Sequence, residues 1–337
     1  MSYVSSIVFY ILAAGFIYYT PDERLSTTAR VYDNNESLIS FRQVRISDPG
    51  RRKGYRDIIK YGDKFLAVGS AGRIDYISRS GEITPVITDF NYDLNGIICD
   101  DRTIIIVGEN GIVLTSSDGQ KFNKTDSGTK ENINGIAYFN GMLIAAADKG
   151  TILISDKGYT WSSIILHLKG NIVSVRANSS LCFGVTDRGE IIKSSDGIEW
   201  KITDYNSQYA GYNKPCIFKN ALLTDNRFVI IGQHSDETPA VLFSSVGNVW
   251  TERSLNYNDD RGVLHSATNS PNAIAYDQTG DQFFLACDNG EILNLPSCTK
   301  CNRSLTVSDN NLNSVICADD YLVCVGEGYF VNIIKIR

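Results

Sequence analysis

The chain has little of what metal centres and nucleic-acid surfaces are made from. Histidine occurs 3 times in 337 residues, and His167, His234 and His265 are too far apart in sequence for the short spacings of a metal site. Neither a metal nor a cofactor is expected. A basic excess is also missing: 32 Lys and Arg stand against 38 Asp and Glu, for a net charge of −6. That balance argues against a surface that tracks phosphates, so no nucleic acid is expected as a partner.

Charge is absent altogether from Tyr3 to Tyr19 (YVSSIVFYILAAGFIYY), and Pro21, Asp22 and Glu23 close the run. As a helix these 17 residues would span about 25 Å. The hydrocarbon core is roughly 30 Å thick, so the run can cross with its aromatic ends at the interface. No Lys or Arg precedes it, which disfavours a cleaved secretory signal. A hydrophobic helix buried against a partner protein is the other alternative. The expectation is a single-pass anchor over residues 1–20, with the lipid bilayer as its partner. Residues 21–39 are polar and aperiodic and read as a linker.

What the chain does have is a repeat. Gly111, Gly150 and Gly189 recur every 39 residues, and three further columns keep the interval: Gly119, Gly158 and Gly197; Phe122, Trp161 and Trp200; Ile97, Ile136 and Val175. Each unit reads as four apolar runs separated by turns, such as NGIICD, TIIIVG, IVLTSS and FNKT. Four strands per period of about 40 residues is the pattern of a β-propeller blade. The fold class expected is therefore all-β, a seven-bladed propeller of four-stranded antiparallel blades over residues 40–337, preceded by the hydrophobic helix. Six or eight blades are the alternatives, because eleven residues are inserted in the fifth blade and the sixth is irregular. The last blade stops one strand short. Ser40–Ile46 (SFRQVRI) alternates apolar and polar residues and is expected to supply that strand, pairing with Tyr329–Lys335 so that the ring has no open edge.

The third-to-fourth-strand turns SSDGQKF, SDKGYTW, SSDGIEW and SSVGNVW carry a resemblance. They are similar to the Asp-box motif of sialidase-like (BNR-type) propellers, Ser-x-Asp-x-Gly-x-Thr-Trp. In SDKGYTW, Asp156, Gly158, Thr160 and Trp161 fall in register, whereas Asp118 and Asp196 sit one place nearer the glycine. The resemblance implies a structural role for Asp118, Asp156, Asp196, Trp161, Trp200 and Trp250, on the face away from the family's active site. Seven blades with such turns also resemble the photosystem assembly-factor propellers, which act by binding other proteins. The WD40 pairs Gly-His and Trp-Asp do not occur. Sialidase activity is not expected, since Val44-Arg45-Ile46-Ser47-Asp48-Pro49 departs from that family's Arg-Ile-Pro string.

Cys298 and Cys301 form a single CxxC, read as a disulfide or as two free thiols rather than a zinc site. Asn35, Asn123, Asn178 and Asn302 are sequons, which a chain rich in Asn produces by chance. The partner site is expected where connections lengthen, after Trp200 and after Trp250, together with the QHSDETPA turn. These share one propeller face and hold Tyr205, Tyr209, Tyr212, His234, Tyr257, Asp259, Asp260 and Arg261. Tyr with Asn and Ser is an adaptable recognition chemistry. The function expected is a non-enzymatic scaffolding subunit of a membrane-associated assembly, with other protein subunits as partners. A glycan- or peptide-binding receptor module is the alternative, and a glycoside hydrolase the less favoured one.

Overall fold

The computed structural model describes the backbone of Ser26–Tyr32 and Leu38–Val44, and residues 53–100, 103–209, 214–258, 261–296, 301 and 303–336. The expected anchor, Tyr3–Tyr19, lies outside the described residues, as do Tyr212, Asp259, Asp260, Cys298, Arg45 and Ile46. Among the described residues no helix is long and apolar enough to cross a membrane.

Seven antiparallel sheets follow one another along the chain, each with its strands in sequence order from the axis outward. The first blade comprises Tyr55–Tyr61, Lys64–Gly69, Ile74–Ile77 and Ile83–Pro85. The innermost strands of the next six are Leu94–Cys99, Ile133–Phe139, Ile172–Ala177, Cys216–Leu223, Pro271–Asp277 and Leu312–Ala318. Second strands such as Ile104–Gly108 and Tyr321–Gly326 are buried on both faces, which is why they read as unbroken apolar runs. The Gly column has its cause in the backbone. Asn110 and Gly111, Lys149 and Gly150, and Asn289 and Gly290 all take positive φ in the turn between second and third strands.

There is no single core. Seven apolar clusters each span two neighbouring blades, from Leu66, Ile74, Ile97 and Ile106 between the first and second to Tyr55, Ile58, Val323 and Val331 between the last and first. The ring therefore closes by the same face-to-face packing that joins every other pair. Further bonds cross that seam. Gly54 bridges Glu327, the Gly328 amide donates to the Lys53 carbonyl at 2.7 Å, and Ser314 Oγ donates to Asp57 Oδ1 at 3.0 Å.

Every innermost strand carries a β-bulge at the same place, leaving Arg56, Asn95, Asn134, Val173, Lys219, Asn272 and Asn313 unpaired. Six of these side chains donate to the next blade. Asn95, Asn134, Asn272 and Asn313 reach the carbonyls of Ile133, Ile172, Leu312 and Tyr55 at 2.8–3.1 Å, while Arg56 and Lys219 reach the Oδ1 atoms of Asn95 and Asn272 at 2.8 Å. Val173 has no donor, so the side-chain ring is broken between the fourth and fifth blades.

Upstream of the propeller, Ser26–Tyr32 pairs antiparallel with Leu38–Val44. The sequence reading has a linker over the first of these strands; its Thr27, Thr28, Val31 and Tyr32 are instead β-formers spent on a hairpin. Leu38–Val44 runs beside Phe330–Lys335, the third and last strand of blade seven. The fifth blade's first strand, Cys216–Leu223, begins after the inserted segment.

Candidate functional site

The face formed by the second-to-third turns and the blade-to-blade connections carries the insertions. After the strand Lys201–Asp204 the chain makes a short helix, Tyr205–Tyr209. Asp204 starts it, accepting from the Ser207 amide at 2.9 Å and the Ser207 hydroxyl at 2.6 Å. Burial works to raise this carboxyl's pKa, but Lys169 and Ser207 outweigh it and hold it down at about 2. Asn206 straps the helix to blade five, donating to the Cys216 carbonyl at 2.9 Å and accepting from the Cys216 amide at 2.8 Å.

This geometry turns two of the expected contact residues inward. Tyr205 is 2% exposed and stacks on Tyr209 with centroids 4.6 Å apart. Tyr209 packs against the cluster between blades four and five, and its hydroxyl accepts from the Trp250 amide at 3.4 Å. Both seal a blade interface, so neither is a free surface tyrosine. His234 is buried as well. Its Nδ1 lies 3.3 Å from Cys216 Sγ and 3.2 Å from the Lys214 carbonyl, and its Nε2 lies 2.7 Å from Glu252 Oε1.

Cys, His and Glu in line have the layout of a thiol nucleophile with its base. The chemistry does not follow. Burial, and after it the Glu252 charge, push the Cys216 thiol up to about 12, and the sulfur sits under the strand end where no substrate reaches it. Among the described residues no group of His, Cys, Asp and Glu could hold a metal ion.

What projects from this face is a hairpin between blades five and six, Asn256–Asn258 paired with Leu264–Ser266. Tyr257 is half-buried at its base, stacked on His265 at 5.7 Å and packed on the cluster between those blades. Arg261 is exposed near the tip. Val263 and Leu264 are 52% and 67% exposed, side by side beyond Gly262. The sequence reading counted tyrosines and charges and missed this pair, although two adjacent apolar residues inside a polar insertion were there to be seen.

The opposite face holds the third-to-fourth turns. Asp118 Oδ1 accepts from the Gln120 and Lys121 amides at 2.8 and 2.9 Å, and Asp196 Oδ1 from those of Ile198 and Glu199 at 2.8 Å each. Asp156, in the turn whose lettering matched the motif best, accepts no amide: Lys157 stands in sequence where Asp118 and Asp196 do, and the Gly158 amide donates to Ser155 Oγ at 2.8 Å. The Trp161 and Trp200 indoles donate to the Gly158 and Gly197 carbonyls, and Trp250 is buried against Phe183.

A prediction follows for these turns. Backbone amides hold the Asp118 and Asp196 carboxyls below the usual carboxylate range. Their stabilisation is therefore present above the unfolded-state pKa of about 4 and is lost as pH falls through the lower folded values. Asp118→Asn with Asp196→Asn should lower the melting temperature at pH 7 and flatten its fall as pH drops below about 4. Asp156→Ala should leave the melt unchanged; a loss equal to that of the other two would contradict the assignment.

No family model matches the chain, and no curated protein matches it. Solved structures do. The WD40 β-propeller domain of Doa1 is similar over 87% of this chain and 97% of that one, with a TM-score of 0.65 at 13% identity. The β-propeller domain of Myceliophteria thermophila Cps50 (Swd1) covers 87% and 99%, with a TM-score of 0.63 at 11% identity. YCF48, solved with a D1 peptide bound, covers 88% and 95%, with a TM-score of 0.65 at 17% identity. Identities this low carry the architecture and nothing finer. The likeness to WD40 domains without their Gly-His and Trp-Asp pairs makes the same point. Blade count, strand order and these likenesses agree that the chain is a seven-bladed β-propeller.

Proposed function

We propose that this protein is a non-enzymatic scaffold, a propeller tethered to a membrane by residues 3–19 that docks another protein subunit through its inserted hairpin. The observation that carries the docking reading is the exposed Val263–Leu264 pair on a hairpin that belongs to neither neighbouring blade's sheet. An apolar tip held out by a packed base is the form of an interface anchor. The propellers of similar shape include one solved with a peptide bound, which supports a peptide segment as what the face receives. Burial of the Cys216 thiol supports the absence of catalysis. The Asp-box resemblance is supported by Asp118 and Asp196, one place out of the motif's register, whose carboxylates accept turn amides.

Ser40–Ile46 is proposed as the closing strand of blade seven, supported by Leu38–Val44 lying beside Phe330–Lys335. The membrane tether rests on the uncharged run alone. Its test is alkaline carbonate extraction of the full chain and of a variant lacking residues 1–20. The full chain is expected to stay with the membrane pellet and the variant to wash off; a full chain that washes off overturns the tether.

A further inference from the structure

The innermost strands put three side chains per blade around the axis: the bulge residue, the next residue, and the one two further on. The middle layer is small or polar, with Gly96, Gly135, Ser174 and Ala273 among its members. In the third layer six blades place an apolar residue: Ile59, Ile98, Ala137, Leu222, Ala275 and Ile316. The fourth blade places Arg176 there, three residues after Val173. A guanidinium thus stands in an otherwise apolar collar, at the blade where the side-chain ring is broken.

Among the described residues no carboxylate hydrogen-bonds the cation; the one charge acting on it is that of Asp57, elsewhere in the channel lining. Arg176 Nη1 donates to the Val175 carbonyl at 2.8 Å and Nη2 to Asn220 Oδ1 at 2.9 Å, both neutral acceptors. Asn220 Oδ1 is already taken by Ser174 Oγ at 3.0 Å and the Ala221 amide at 2.8 Å. Asp57 faces the same channel, but its oxygens are occupied by the Ile58 amide at 2.9 Å, the Ile97 amide at 3.0 Å and Ser314 Oγ at 3.0 Å. Among the described residues no ion pair includes Arg176. Burial pulls its pKa below the ordinary arginine value, and the Asp57 charge offsets this only in part. Arg176 lines a cavity of about 330 Å³ together with Asp57, Asn95, Asn134, Ser174, Asn220 and Ser314 among others. A charge that Asp57 compensates only in part is costly in the channel, whereas a planar fork with donors to spare matches an oxyanion.

We propose that the axial channel binds a small oxyanion, a carboxylate or a phosphate, on the Arg176 guanidinium. The site is separate from the hairpin, and its test does not depend on a protein partner. Gly96, Gly135 and Ala273 leave the space above the collar, and Asn and Ser donors in the layers above supply further contacts.

Melting of the full chain would be followed in sodium acetate, sodium phosphate and sodium chloride at equal ionic strength. About 10 mM of the cognate oxyanion should raise the wild-type melting temperature over chloride by about 2 °C for a millimolar site, and the arm that responds identifies carboxylate or phosphate. Arg176→Leu restores the apolar collar. It should melt in chloride no lower than wild type and show no oxyanion increment. Equal increments in both proteins, or no increment in wild type, would overturn the proposal. If the Leu variant does not fold, the arginine Nε–H resonances of the wild type decide: one is expected to shift saturably with the effective anion, and no saturable shift counts against the site.

Discussion

Gly54→Val is expected to destabilise the propeller by about 4 kcal/mol or more. A Cβ at Gly54 would lie 2.4 Å from the Gly326 carbonyl oxygen and 2.6 Å from the Glu327 Cα. Both are backbone, and both belong to the last blade, so no side chain can swing aside and the seam itself must open. The loss would reach beyond one contact, because the Gly54–Glu327 bridge, the Gly328-to-Lys53 bond and the Tyr55–Val331 cluster all lie along that seam. Gly62→Ala is the control. Gly62 has a positive φ of 61°, but nothing lies within 4 Å of an added Cβ, so only the backbone strain of about 1 kcal/mol applies. Urea unfolding of both variants separates the effects; a Gly54 variant no less stable than the Gly62 variant would show that the blades do not close through this contact.

Removing residues 1–46 is expected to cost about 3 kcal/mol or more and to make the protein prone to association. Phe330–Lys335 is the outermost ladder strand of its blade, and Phe330, Val331, Asn332, Ile333 and Ile334 in it are buried. Leu38–Val44 lies along that strand, and without it the strand's outer backbone edge faces water. The inter-blade contacts at Tyr55 and Gly328 would persist, so the loss should appear as a lower midpoint with a retained β-sheet spectrum. Dimers or larger species in light scattering are expected alongside it. A truncated chain that melts with the full one and stays monomeric would contradict the proposed closing role of Leu38–Val44.

The repeat was legible because its columns report backbone requirements. Gly111, Gly150 and Gly189 recur since each sits in a left-handed turn, and the Ile97 column recurs since each member fills a blade interface. Where the sequence misled, the letters were right and the register wrong. Asp156 matches the motif's spelling, yet Lys157 stands in sequence where Asp118 and Asp196 accept the amides. Tyr205, Tyr209 and His234 were expected on the surface because an inserted segment is polar on average. The insertion had to be sealed against blade five, and the largest rings nearest the strand end did it. The bulge ring was partly visible, as Asn95 and Asn134 are 39 residues apart. Periodicity alone assigns those residues no direction, and the hydrogen bonds to Ile133 and Ile172 become apparent only when neighbouring blades are brought together. Arg176 is a charge in an apolar column, the kind of local inconsistency that marks a site.

The central claim is that the hairpin docks a protein partner, and co-purification in mild detergent tests it most directly. The full chain would be compared with a variant carrying Val263→Ser and Leu264→Ser, substitutions at exposed positions that leave the Tyr257–His265 base intact. The account predicts that the variant melts as wild type does and remains in the membrane pellet, while its bound protein falls by about tenfold or more, as for an anchor worth about 2 kcal/mol. A variant that recovers the same partner in the same amount would contradict it.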